Sequence, residues 1–161
     1  MNDAESLRQQ IAVCTCGGLV LDNTHPMKLS KKAEYALRAL VAMGREREGT
    51  NFSIQDLASS EHIPLKFLEQ ILLALKNGGL LRSKRGVGGG YQLVTHPARI
   101  TLGEVVTLFD GPFDPVPGAD QDALGQVFSG LREQVVQWFA EHTVAQIIAK
   151  ERTRETVSFD I

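Results

Sequence analysis

Four glycines fall within five residues at Gly86-Val-Gly-Gly-Gly90. A stretch this rich in glycine is a turn and belongs to neither of the runs beside it. Those runs, near 80–85 and 91–94, read as two short strands, so a hairpin stands in the middle of the chain. Nearly everything around it has the spacing of helices. Ser30 is placed to cap a helix over about 30–45, in which Ala33, Ala36, Leu37, Leu40 and Val41 recur at helical spacing and Gly44 lies near the end. Ser53-Ile-Gln-Asp56 has the form of a capping box, with aspartate for the usual glutamate, and predicts a short helix to about Ser60. After a turn through His62, Ile63 and Pro64, a third helix is expected over roughly 64–77. Pro64 suits its first turn, because the missing N–H has no partner there anyway. Leu65, Leu68, Ile71, Leu72 and Leu75 form its apolar stripe. Lys66, Gln70, Leu73 and Asn77 point the other way, and Phe67 lies on the flank. Gly78 and Gly79 end it.

Beyond the hairpin, Thr101-Leu-Gly-Glu104 is a full capping box and opens a short helix through Val105, Val106 and Leu108. Residues 110–118 hold three prolines and two glycines and read as a loop. A long helix over about 120–141 carries a broad apolar face of Leu124, Val127, Phe128, Leu131, Val135, Trp138 and Phe139. Gly125 and Gly130 each weaken it by about 1 kcal/mol relative to alanine. A small helix near 143–151 precedes the tail. Residues 1–26 show no sustained period and read as a loosely ordered extension, and Met27 opens a segment of different character that reads as an alternative start. The expected organisation is therefore an extension (1–26), a compact unit (27–112), and a linker, long helix and tail (113–161).

Three short helices followed by a two-stranded ribbon is the winged helix-turn-helix pattern. The fold class is mainly α with a small β-hairpin wing, to which a long C-terminal helix is added. In such a unit the second helix of the pair fits the major groove of B-DNA, and its outward polar residues reach base edges. A basic hairpin beside it can enter the minor groove, where negative potential is concentrated. Lys66 and Gln70 stand outward on that helix, and the hairpin offers Arg82, Lys84 and Arg85. Charge agrees. The net value of −2 conceals a segment at 27–100 carrying +6 and a segment at 101–161 carrying −6. An opposed split of this size suits a middle segment that meets a polyanion. At 43% apolar and 22% charged residues the composition is that of an ordinary globular chain, which excludes a wholly disordered protein, a collagen and a disulfide-dense mini-protein. No run approaches 18 apolar residues, so no membrane span is expected.

Met27-Lys-Leu-Ser30 followed by Tyr35-Ala-Leu-Arg-Ala-Leu40 resembles the start of the Rrf2 family of bacterial transcription regulators. Phe67-Leu-Glu-Gln70 resembles its third helix, Leu80–Gly86 through Gly88-Gly-Gly-Tyr91 its wing, and Ile100-Thr-Leu-Gly-Glu-Val105 the opening of its next helix. The resemblance implies a homodimeric regulator whose long C-terminal helix pairs the subunits. By position it turns Lys66, Phe67 and Gln70 toward DNA, with Gln70 suited to adenine and Lys66 to guanine or phosphate. Glu69 is open between accepting from cytosine and repelling phosphate. In the wing, Arg82, Ser83, Lys84, Arg85 and Gly86 fall on the DNA-contacting stretch, with Arg85 aimed at the minor groove. Tyr35 and Tyr91 are expected to pack, and Arg38 is open between phosphate and solvent. Leu124, Phe128, Leu131, Val135 and Trp138 are the expected dimerisation residues. The first 110 residues are expected to close their own core, which leaves that face for a second copy.

The chain departs from the family at one place. Many members carry three cysteines before the long helix and bind an iron–sulfur cluster. Here the loop from Asp114 to Asp122 has no cysteine and no histidine, so no cofactor and no metal site are expected. Cys14 and Cys16, one residue apart, are poorly placed for a bridge and form only a weak metal signal. The apolar run 11–21 is broken by two glycines and preceded by Asp3 and Glu5 rather than a basic region, so it does not read as a signal peptide, and a reducing cytoplasm is the expected setting. His25, His62, His96 and His142 do not cluster, and the glycine turn lacks the Lys-Ser/Thr ending of a phosphate loop. No nucleophile–base pairing is visible, so no catalytic residue is assigned and an enzyme is not expected. The expected partners are double-stranded DNA, a second copy, and a protein or small-molecule effector for which the space between long helix and wing unit offers room. The alternative is a winged-helix interaction module whose output depends on a partner metabolic enzyme.

Overall fold

The computed structural model describes residues 29–86, 88–118 and 122–157; the expected extension at 1–26, with Cys14 and Cys16, lies outside them. Helix α1 spans Lys31–Arg45, α2 Ile54–Ser60 and α3 Leu65–Asn77. Strands β1 (Leu81–Lys84) and β2 (Gly90–Leu93) follow, then a 3-10 turn at Pro97–Arg99, α4 (Leu102–Asp110), α5 (Ala123–Glu141) and α6 (Val144–Val157).

The caps read from the sequence set the helix starts. Ser30 Oγ accepts from the Ala33 N–H, Ser53 Oγ from Asp56 and Thr101 Oγ1 from Glu104, each at 3.1 Å. Asp122 caps α5 by accepting from the Gly125 N–H at 2.7 Å. Pro64 stands one position earlier than expected. It is the N-cap of α3, and its carbonyl accepts from Phe67 and Leu68 at 2.9 and 3.0 Å.

The core lies where α1, α3 and α4 meet. Ala33, Ala36 and Ala39 are fully buried along α1, and their small side chains let the other helices approach closely. Against them sit Leu40 and Met43, the α3 stripe of Leu68, Ile71, Leu72 and Leu75, and Leu57, Leu80, Ile100 and Val105. Leu65, expected in the stripe, is instead exposed, while Leu68, later in the same first turn, is fully buried. Tyr35 and Tyr91 pack at its edge, as expected.

Two expectations need correction. The final helix runs to Val157, six residues past its expected end, since nothing between Lys150 and Thr156 breaks it. Nor do the first 110 residues close the core. Val144 is fully buried and Ile148 nearly so, and both belong to α6, which packs along α1. The Arg45 guanidinium pairs with Glu151 across that contact. Backbone bonds from the Leu102 N–H to the His142 carbonyl (2.8 Å) and from the Val144 N–H to the Ile100 carbonyl (3.0 Å) fasten its start to that of α4.

Candidate nucleic-acid interface

On α3, Lys66, Phe67, Glu69 and Gln70 are all exposed, Lys66 and Gln70 opposite the buried stripe and Phe67 and Glu69 on its two flanks. Phe67 is 45% exposed, a high value for an aromatic side chain. Its ring meets that of Tyr35 edge-on, with centroids 6.5 Å apart, so α1 holds it in place. On the same stretch of α1, Glu34 receives Lys31 at 2.6 Å and Arg38 at 2.9 Å. The hydrogen bonds from Lys31 and then Arg38 hold the Glu34 carboxyl below its usual range. The bond to Glu34 and its charge raise the Lys31 ammonium. Arg38, left open by the sequence, is exposed and engaged by Glu34.

In the hairpin, Arg82, Ser83, Lys84, Arg85 and Gly86 are exposed. Arg82 faces Gln92 and Lys84 faces Gly90 across the strand pair, and Arg82 Nε donates to the buried Gln92 side chain. Arg82 is thus anchored at the root of the wing, while Lys84 and Arg85 stand next to the turn.

The sequence reading missed what supports the wing. Phe52 pairs with Tyr91, with backbone bonds of 2.8 and 2.9 Å in both directions, an isolated bridge in addition to the β1 pairing of Tyr91. Asn51 Nδ2 donates to the Gly88 carbonyl at 3.3 Å and holds the turn from outside. Gly90, with φ at +146°, lies so close to Phe52 that a Cβ would run into its carbonyl. Two residues are too few to show a strand period, so only the glycine at 90 hinted at the contact.

The five expected dimerisation residues divide. Leu124 and Trp138 are just over half exposed and Leu131 is 40% exposed, whereas Phe128 and Val135 are half-buried on the face that α5 turns toward its own chain. Val127, at 76%, extends the exposed stripe, and α5 contains no buried residue at all.

A helical core with an exposed helix and a basic two-stranded hairpin defines a winged helix-turn-helix protein. Residues 29–150 match the family model Rrf2, described as an iron-dependent transcriptional regulator, and the chain belongs to the Rrf2 family. A helix-turn-helix-type transcriptional regulator of Mycobacterium tuberculosis is 35% identical over 130 residues, covering 75% of this chain and 81% of its own. CymR of Bacillus subtilis is 33% identical over 90 residues, covering 56% and 65%. Among solved structures, CymR, the global cysteine regulator of B. subtilis, superposes with a TM-score of 0.69 at 25% identity, covering 78% of this chain and 98% of its own. The fold, with its mainly helical body and antiparallel hairpin, is therefore that of these winged-helix regulators, and the chain is a DNA-binding transcription regulator. Relatives named as regulators fit a non-enzyme reading. No helix among the described residues is long and apolar enough to cross a membrane.

Iron is the group that the family description implies, and the donors here do not fit a cluster. The loop between α4 and α5 offers carboxylates and backbone but no thiol, and among the described residues no three His, Cys, Asp or Glu side chains gather.

Proposed function

We propose that this protein is a homodimeric, sequence-specific regulator, acting as a repressor, that reads DNA with α3 and the wing and works without an iron–sulfur cluster. The observation that carries this reading is the joint exposure of Lys66, Phe67 and Gln70 on one helix and of Arg82, Ser83, Lys84, Arg85 and Gly86 on the adjoining hairpin. Gln70 presents the bidentate amide that suits adenine, Lys66 reaches guanine or phosphate, and Phe67 meets the methyl of thymine. Lys84 and Arg85 enter the neighbouring minor groove. Residues 27–112 form the DNA-reading unit, and 113–161 supply the dimerisation helix.

The exposed stripe of α5 supports the dimer. Leu124, Leu131 and Trp138 take the centre of the interface, and Phe128 and Val135 back them from inside each protomer. Pairing sets two recognition helices about one duplex turn apart, which calls for a palindromic site. The test is fluorescence anisotropy on DNA from upstream of the gene against a scrambled duplex at about 150 mM salt. A preference of roughly a thousandfold is expected. Equal weak binding to both would overturn sequence-specific reading by the free protein.

A further inference from the structure

The loop between α4 and α5 borders an open cavity of about 390 Å3 that DNA reading does not use. Its walls are apolar: Val106 of α4, Pro112 and Phe113 of the loop, and Val135 and Phe139 of α5. Two carboxylates, Asp110 and Asp114, stand in the same lining. Asp110 is exposed, and its Oδ2 accepts the Ser30 N–H at 3.0 Å, which fixes the carboxylate at the edge of the cavity. A carboxylate has more acceptor positions than one bond uses. Asp114 spends one oxygen on the Val116 N–H at 3.1 Å, and on its other side it shares a small pocket with Arg132, so Asp110 is the better anchor. An apolar chamber of this size with few, placed polar groups has the build of a small-molecule site. A ligand anion would be repelled by both carboxylates, and a neutral ligand would leave Asp110 to water.

We propose that this cavity binds a small amphiphilic organic cation, a hydrocarbon or aromatic body bearing one ammonium, with the ammonium on Asp110 and the body against Phe113, Val135 and Phe139. The cavity is formed by the end of α4, the loop and α5, so its occupant touches both the winged body and the long helix. Binding there changes how α5 sits on the body, and hence the spacing of the two recognition helices. That consequence rests on the dimeric reading above; the binding itself does not.

The test is calorimetry on the full chain with phenylbutylamine, phenylbutanol and phenylbutyrate, which share one body and differ in charge. The amine is expected to bind about tenfold tighter than the alcohol, the size of one charge-assisted hydrogen bond, with the butyrate weakest. Asp110→Asn keeps an acceptor for Ser30 and removes the charge, so it should bring the amine to the level of the alcohol and leave the alcohol unchanged. Phe113→Ala should weaken both alike. No binding of any of the three, equal binding of all three, or a charge preference that survives Asp110→Asn would overturn the proposal. DNA anisotropy on the same samples separates the two readings. Specific DNA binding without amine binding sinks the cavity alone, and amine binding without specific DNA binding sinks the regulator reading alone.

Discussion

Helices α3 and α5 are both amphipathic, yet they end in opposite situations. The thirteen residues of α3 bury Leu68, Ile71, Leu72 and Leu75 completely. None of the nineteen residues of α5 is fully buried, although Leu124, Val127, Leu131 and Trp138 line one side of it. The difference lies in how many surfaces each helix meets. α3 is wedged between α1, α2 and β1, whereas α5 leans mainly on α4 and borders the loop before it. An apolar stripe therefore predicts that a helix has a neighbour, and only the fold says whether the neighbour is within the chain. For α5 the half-buried face with Val135 and Phe139 answers to its own body, and the opposite stripe stays exposed in the single chain, where the proposed dimer would cover it.

The contrast is sharpest in core stability. Leu72→Ala should destabilise the fold by about 2–5 kcal/mol, since it empties a fully buried site. Val127→Ala on α5 should change the unfolding free energy of the monomer by no more than about 0.5 kcal/mol. Urea denaturation measures both, and equal losses would break the comparison.

Leu131→Glu should leave the monomer folded and shift the sedimentation coefficient from dimer to monomer. A charge placed at the centre of an apolar interface raises its dissociation constant by about tenfold or more. An unchanged coefficient would move the interface off the exposed stripe.

The wing beside α3 is tested by DNA. Lys84→Ala with Arg85→Ala should weaken binding and reduce the magnitude of the slope of log affinity against log salt by about 2, because two counterion-releasing contacts are lost. Stability should be untouched. Unchanged affinity and slope would remove the wing from the interface. Asn51→Ala should weaken DNA binding less, and Asn51→Gln should recover part of the loss if the amide acts by holding the Gly88 carbonyl.

The smallest effect is electrostatic. The Glu34 carboxyl is lowered by its bonds to Lys31 and Arg38, so its contribution is present above the ordinary carboxylate value and is lost as pH falls through the lowered folded value. The Lys31 contribution has the opposite sign: it is complete below the ordinary lysine value and fades as pH rises through the raised one. NMR titration of the Glu34 side chain should show a midpoint below that of a free glutamate, and Arg38→Ala should move it back up. The pair is solvent-exposed, so little change in global stability is expected.

Much of the fold was legible in the sequence, because its signals are local. Ser30, Ser53 and Thr101 cap the helices they announce, since a hydroxyl bonding to an amide three residues on needs no distant partner. The glycine turn and its basic flanks placed the hairpin within a residue or two, since positive φ at Gly86, Gly88 and Gly90 is a property of those residues alone. The candidate DNA residues were legible in the same way, as polar positions out of phase with the α3 stripe. What the sequence concealed depends on contacts between distant segments. Val144 and Ile148 sit in a helix of weak amphipathic period, and nothing local says that they fill the core against α1. The Phe52–Tyr91 rung joins residues 39 positions apart, and a lone extended residue has no pattern to read. Tertiary structure also decided which half of α5 is spoken for. A stripe records only that apolar area must be covered, while the geometry of α4 and the loop determines which part the chain covers itself.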